Sequence, residues 1–246
     1  MKLPEREKAA HRAAFRKMSA AEKLDHIATY YKWPILLALI ALIVLGSVLH
    51  RQLTYREPAL YLALVNVSVG EDMEKALTEE YLAQRDPDAA KGAVYLYRDL
   101  YLSDDADVLN HEYAYASRMK VMGAIQSQKL DVAVMNREGY DLFSSNGFLL
   151  ELPELLAADP ALEQALAPYL TQNSVVLSDN GIEYQLGEAE THDVVTEEAA
   201  NALSAGVWPR FSDAGFSGEV YVGVLANSPR TDEAIRYLRY LADAAG

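Results

Sequence analysis

No cysteine occurs among the 246 residues. Its absence excludes a disulfide framework, a thiolate metal site, a cysteine nucleophile and a lipid anchor attached through a lipobox cysteine. An outward-facing domain without disulfides suits a bacterial envelope better than a eukaryotic secretory route. Basic residues are concentrated at the start: Met1–Lys32 carries eight Lys and Arg against four Asp and Glu, a net +4. The remainder then carries −18 of the total −14. So acidic a chain repels nucleic acid and anionic lipid, and neither is expected as the main partner of its C-terminal part.

Motifs for catalysis are also missing. The histidines at 11, 26, 50, 111 and 192 show no H-E-x-x-H or other zinc spacing. Asp104, Asp105 and Asp107 lack the glycine and distal glutamate of a calcium loop, which makes them a solvated strand end. Ser117-x-x-Lys120 and Ser178-Asp179-Asn180 match two of the three motifs of penicillin-recognising enzymes, but no K-T-G accompanies them. Ser117 falls inside a helical pattern. No catalytic residue, metal or cofactor is therefore expected, and the chain reads as a binding protein, not an enzyme.

The longest apolar run is Trp33–Leu49, seventeen residues without a charge. As a helix it covers about 26 Å, enough to cross a bilayer once. The charge asymmetry about it puts residues 1–32 in the cytoplasm and residues 57–246 outside, by the positive-inside rule. The rival is a cleaved signal peptide with Val44, Leu45 and Gly46 imitating a cleavage site, but the leader and the apolar stretch are long for one. Ser19 and Glu22 have capping-box spacing ahead of Leu24, Ile27, Ala28 and Tyr31, which predicts a short amphipathic helix before the span. Tyr30, Tyr31 and Trp33 form an aromatic anchor at one interface, Tyr55 marks the other, and Pro34 suits a first helical turn.

Residues 57–246 are enough for one large or two small domains. Ala59–Val67, Leu130–Asn136 and Glu219–Ala226 are nearly continuous apolar runs, the pattern of strands buried on both faces. Ala93–Leu102 alternates, which puts Val94, Leu96, Leu100 and Leu102 on one face and Tyr95, Tyr97 and Tyr101 on the other. Helices are expected over Glu71–Arg85, His111–Gln128, Gly139–Ser145 (closed by Gly147), Ala161–Tyr169 and Asp232–Ala244. Asn180-Gly181 between two short apolar runs predicts a hairpin turn. Residues 188–218 read as a loop-rich cover.

Strand followed by helix, repeated, predicts an α/β fold with a mostly parallel central sheet. Ligands then meet the carboxyl ends of the strands. The candidates there are Asn66 and Ser68, then Asn136, Arg137 and Glu138, then Asn227 and Ser228, with Arg137 the group suited to clamp a carboxylate. Helix capping is the commoner use of polar residues in such turns, and it stays open beside ligand contact.

Gln126–Leu152 (QSQKLDVAVMNREGYDLFSSNGFLLEL), Val220–Leu241 (VYVGVLANSPRTDEAIRYLRYL) and the opening strand ALYLALVNV together resemble type II periplasmic solute-binding proteins, the extracellular receptors of ABC importers. The Tyr-Tyr-Lys-Trp entry to the span is similar to that of envelope proteins of Gram-positive bacteria. The resemblance implies a reduced domain of that fold with a small hairpin-containing second lobe. It implies a binding role for a small solute beside an ABC transporter, or a scaffold that keeps the fold without a solute. It departs from the family in the missing lipid-anchor cysteine and in a length too short for two full lobes.

Overall fold

The computed structural model describes residues 19, 32–54, 57–85, 92–105, 110–212, 214, 216 and 219–243. The expected juxtamembrane helix, Tyr30, Tyr31, Tyr55 and Asp107 lie outside the described residues. The chain divides into two compact units, Met1–Tyr55 and Arg56–Gly246.

In the first unit a single helix, α1, runs over Lys32–Thr54. Its 23 residues span about 35 Å, longer than the uncharged run itself. Lys32–His50 is long and apolar enough to cross a membrane, and every residue of it is exposed. A signal sequence passes the same test.

The second unit is a six-stranded sheet with helices on both faces. Its strands are β1 (Glu57–Val65), β2 (Gly92–Leu100), β3 (Val132–Met135), β4 (Leu170–Asp179), β5 (Val194–Ser204) and β6 (Tyr221–Val224). Their spatial order is β2-β1-β3-β6-β5-β4. Only β1–β2 and β1–β3 pair in parallel, while β3–β6, β6–β5 and β5–β4 are antiparallel. The sheet is therefore mixed where a mostly parallel one was expected. The cause is local connectivity: β4, β5 and β6 follow one another as antiparallel neighbours, which need no helical crossover.

The two faces bury separate cores. On one, Leu60, Leu62 and Leu64 of β1, Val132 and Val134 of β3 and Val222 and Val224 of β6 lie under helices. The first of these, α2, is built from Glu71–Lys75, a π-helical turn Ala76–Glu80 and Tyr81–Arg85. Carbonyls of that turn accept from two tyrosines near the end of the chain: Tyr240 donates to Ala76 O at 2.6 Å and Tyr237 to Leu77 O at 2.9 Å. On the other face, Ala63, Val65, Ala133, Met135 and Tyr221 pack under α3 (His111–Gln126) and α4 (Arg137–Ser145). Short helices α5 (Leu152–Leu156) and α6 (Pro160–Leu166) complete the first core, and a 3-10 turn, Ala167–Tyr169, leads into β4. The chain closes through α7 (Gly181–Gln185), α8 (Pro209–Ser212) and α9 (Thr231–Asp243).

Four further expectations are corrected. In β2 the register slips by one residue between Ala63↔Tyr97 and Val65↔Leu100, with Asp99 at φ 58°. A one-residue slip reverses the side-chain phase, so Val94 and Leu96 join the first core and Leu100 and Leu102 the second. Asn180-Gly181 is not a two-residue hairpin turn: Asn180 precedes α7, and β4 pairs with β5 across residues 180–193. Residues 194–204, expected as loop, form β5. This hairpin extends the single sheet; it does not build a lobe of its own.

Candidate functional site

Five of the candidate residues meet at the carboxyl ends of β1 and β3. Asn66 sits directly after β1 with φ 55°, a left-handed conformation that asparagine tolerates better than most residues. Its Nδ2 donates to Leu102 O and its Oδ1 accepts from Leu102 N, each at 2.7 Å. The remaining Nδ2 hydrogen points to Glu138 Oε2 at 3.4 Å. Asn136 caps α4, with Oδ1 accepting from Gly139 N at 2.8 Å. Ser68 and Glu138 are exposed.

Arg137 is half-exposed and ion-paired with Asp141 one turn on, at 2.9 Å. Its guanidinium lies 5.7 Å from the centroid of Tyr140 and 5.8 Å from that of Tyr221. The Tyr221 hydroxyl and Asp141 hold Arg137 firmly in its charged form. Tyr221 in turn donates to Glu219 at 2.8 Å, and burial followed by that bond keeps its hydroxyl protonated against the pull of Arg137. Asp141 engages the guanidinium through Nε alone, which holds the side chain in place over the two rings.

Asn227 and Ser228 lie at the other end of the sheet, because β6 runs against β3. Asn227 Nδ2 donates to Ile125 O at 2.7 Å. Ser228 Oγ donates to the fully buried Asp131 at 2.5 Å. The same carboxylate accepts from Tyr61 N at 2.7 Å and from Arg230 Nε at 2.8 Å, and Arg230 covers the Tyr61 ring at 4.8 Å. These residues join the middle of β1 and the start of β3 to the turn after β6. The candidates thus form two clusters at opposite ends of the sheet, and Asn66, Asn136, Asn227 and Ser228 are each hydrogen-bonded within the fold.

Sequence reasoning passed over a third polar cluster. Tyr140 donates to Asn201 Oδ1 at 2.9 Å, Asn201 Nδ2 to Ser144 Oγ at 2.8 Å, and Ser144 Oγ to Ser174 O at 3.1 Å. Burial raises the Tyr140 hydroxyl pKa far above the ordinary value. The cluster fastens α4 beneath β4 and β5. Its only trace in the sequence is a single asparagine inside the small apolar run Ala199–Leu203.

Past that fastening, β4 and β5 continue as a two-stranded ribbon. Only Leu203 and Ser204 of β5 pair with β6, since Phe148–Leu150 enters beside β6 and bridges Leu149 to Leu225. Residues 177–179 and 194–198 are exposed, so nothing among the described residues covers this part of the ribbon. Its tip is knotted: Asn180 donates to Thr191 O and accepts from Asp193 N, and Asp179 accepts from Gly181 N and pairs with His192 at 2.7 Å. Tyr184 stacks on His192 with centroids 5.8 Å apart.

Among the described residues no group of three or more His, Cys, Asp or Glu is placed to hold a metal ion. Ser117 is buried in α3 and accepts from Tyr101 N at 3.2 Å, while Ser178 lies on the exposed ribbon. Asp104 pairs with Arg118 at 2.5 Å. No protein family, no curated protein and no solved structure matches this chain.

Proposed function

We propose that this is a membrane-anchored, non-catalytic interaction module, with its basic tail in the cytoplasm and residues 57–246 on the outer side, which works by docking a partner and not by enclosing a solute. The observation that carries it is the uncovered β4–β5 ribbon, whose tip presents Leu177, Ile182, Leu186 and Val195 to solvent. Large apolar side chains left exposed on one short protrusion support a docking role. The engagement of Asn66, Asn136, Asn227 and Ser228 within the fold supports the same reading.

The parallel β1–β3 pair with helices on both faces supports kinship with solute-binding receptors, and the exposed Arg137 head supports the second reading, a solute receptor beside an ABC importer. Two experiments separate them. A photoreactive residue at Leu186 of the full chain in intact cells should crosslink one discrete protein, and one at Tyr115, an equally exposed position on α3, should not. Equal labelling from both positions would overturn docking through the ribbon. A thermal-shift screen of the full chain in nanodiscs against sugars, amino acids, peptides, polyamines and divalent ions tests the receptor: a true solute at 100 times its Kd adds about 2.7 kcal/mol of stability.

A further inference from the structure

The ribbon tip carries a charge pattern that says what kind of surface it meets. Lys and Arg are absent from 138–209, and the ribbon with its connection holds Asp179, Glu183, Glu188, Glu190, Asp193, Glu197 and Glu198, every one of them exposed. Interleaved with these are Leu177, Ile182, Tyr184, Leu186, Val194 and Val195, with Ile182 at 72% and Leu186 at 68% exposure. The skipped register at Leu177, between Val176↔Thr196 and Ser178↔Val195, sets Leu177 and Ser178 together opposite Val195. Apolar contact area and negative charge therefore share one small protrusion.

A second copy of this chain would bring like charges together, and an anionic bilayer would be repelled in the same way. Resting on the docking reading above, we infer that the ribbon tip binds a basic amphipathic segment of a partner protein, its apolar side chains against Ile182, Leu186 and Val195 and its Lys and Arg among the surrounding carboxylates. A helix with a leucine stripe flanked by lysines has that chemistry. Charge steers the encounter and apolar contact holds it, so binding weakens with salt yet does not vanish. The knot of Asp179, Asn180, Thr191, His192 and Asp193 holds the tip in one shape beforehand, which lowers the ordering cost of association.

The test uses the full chain in phosphatidylcholine nanodiscs and labelled synthetic peptides: an amphipathic Leu/Lys helix, its Leu/Glu counterpart, and a Leu/Lys peptide of the same composition with the stripe scrambled. Anisotropy titrations should show the amphipathic Leu/Lys peptide binding at least about tenfold more tightly than either control. Ile182→Ser with Leu186→Ser should weaken it by at least about tenfold, and Glu188→Gln with Glu190→Gln should flatten its salt dependence. Far-UV circular dichroism checks that both variants fold, and Ile182→Val with Leu186→Met, which keeps the apolar surface, should bind like the parent. Binding indifferent to the tip substitutions, or no binding, would overturn the proposal. Tip-dependent binding of the Leu/Glu peptide would overturn the basic partner and leave docking standing, a dimer dispersed by the serine variants would name a second copy as occupant, and a solute-specific rise in Tm would overturn the docking reading itself.

Discussion

The side-chain amide of Asn66 holds the backbone of Leu102 at both ends, donating to its carbonyl and accepting from its N–H at 2.7 Å each. In effect it continues the β1–β2 pairing for one more step after the backbone has turned into the left-handed region. Asn66→Ala loses both bonds and places a Cβ without compensation at φ 55°. It should cost about 2–3 kcal/mol, since each lost bond strands a backbone group. Asn66→Gly should cost less, because the strain is relieved. Urea unfolding followed by tyrosine fluorescence measures both, and equal losses would show that the conformation contributes nothing.

Gly223 is required by close approach. A Cβ there would stand 2.9 Å from Leu149 Cδ2 and 3.3 Å from Asn201 O. Leu149 is itself buried and has little room to turn aside. Gly223→Ala should therefore destabilise by about 1–3 kcal/mol, the usual range for overpacking. Combined with Leu149→Ala the loss should be smaller than the sum of the two single losses, because the first substitution fills part of the space vacated by the second. Strict additivity in a double-mutant cycle would disprove the contact.

Asp131 is a buried carboxylate with a charged partner and two further donors. Removing it takes the acceptor from Arg230 Nε, the Ser228 hydroxyl and Tyr61 N, and Asp131→Ala should cost about 3–5 kcal/mol. Ser228→Ala removes one donor to the carboxylate and the acceptor of Arg230 N–H, and should cost about 1–2 kcal/mol. If Ser228 instead served a ligand, its replacement would leave the denaturation midpoint unchanged.

The knot at the ribbon tip should be sensitive to acid. His192, then the N–H of Gly181, hold the Asp179 carboxyl below the usual carboxylate value, against a small opposing effect of desolvation. A depressed folded value means that the stabilisation is complete above the unfolded value of about 3.9 and is lost as pH falls through the lower folded value. Amide exchange at Gly181 and Asp193 should therefore rise at pH below about 4, in excess of the intrinsic trend. In Asp179→Asn the excess should be present at neutral pH already. Unchanged protection at Gly181 in that variant would remove Asp179 from the knot.

Composition and local pattern were sufficient for the elements whose signal lies within their own residues. Trp33–Leu49 is apolar enough to be helical in lipid whatever surrounds it. The runs ending at Val65, Met135 and Val224 are buried strands because only burial on both faces accounts for so many consecutive apolar residues. Gly147, at φ 65°, ends its helix as the pattern requires.

What the tertiary structure decided is everything that depends on a distant partner. β5 was illegible because VVTEEAANALS changes character along its length: its first half is a solvated ribbon and its second half a buried strand. Leu100 changed faces because a single inserted residue reverses the alternation, and nothing in the β2 sequence marks the slip. Asn227 and Ser228 parted from Asn66 and Asn136 because strand direction is a property of pairing, and the hydrophobic pattern reads the same in both directions. The same polar side chain can cap a helix, close a strand end or meet a ligand, and only the group across from it decides which.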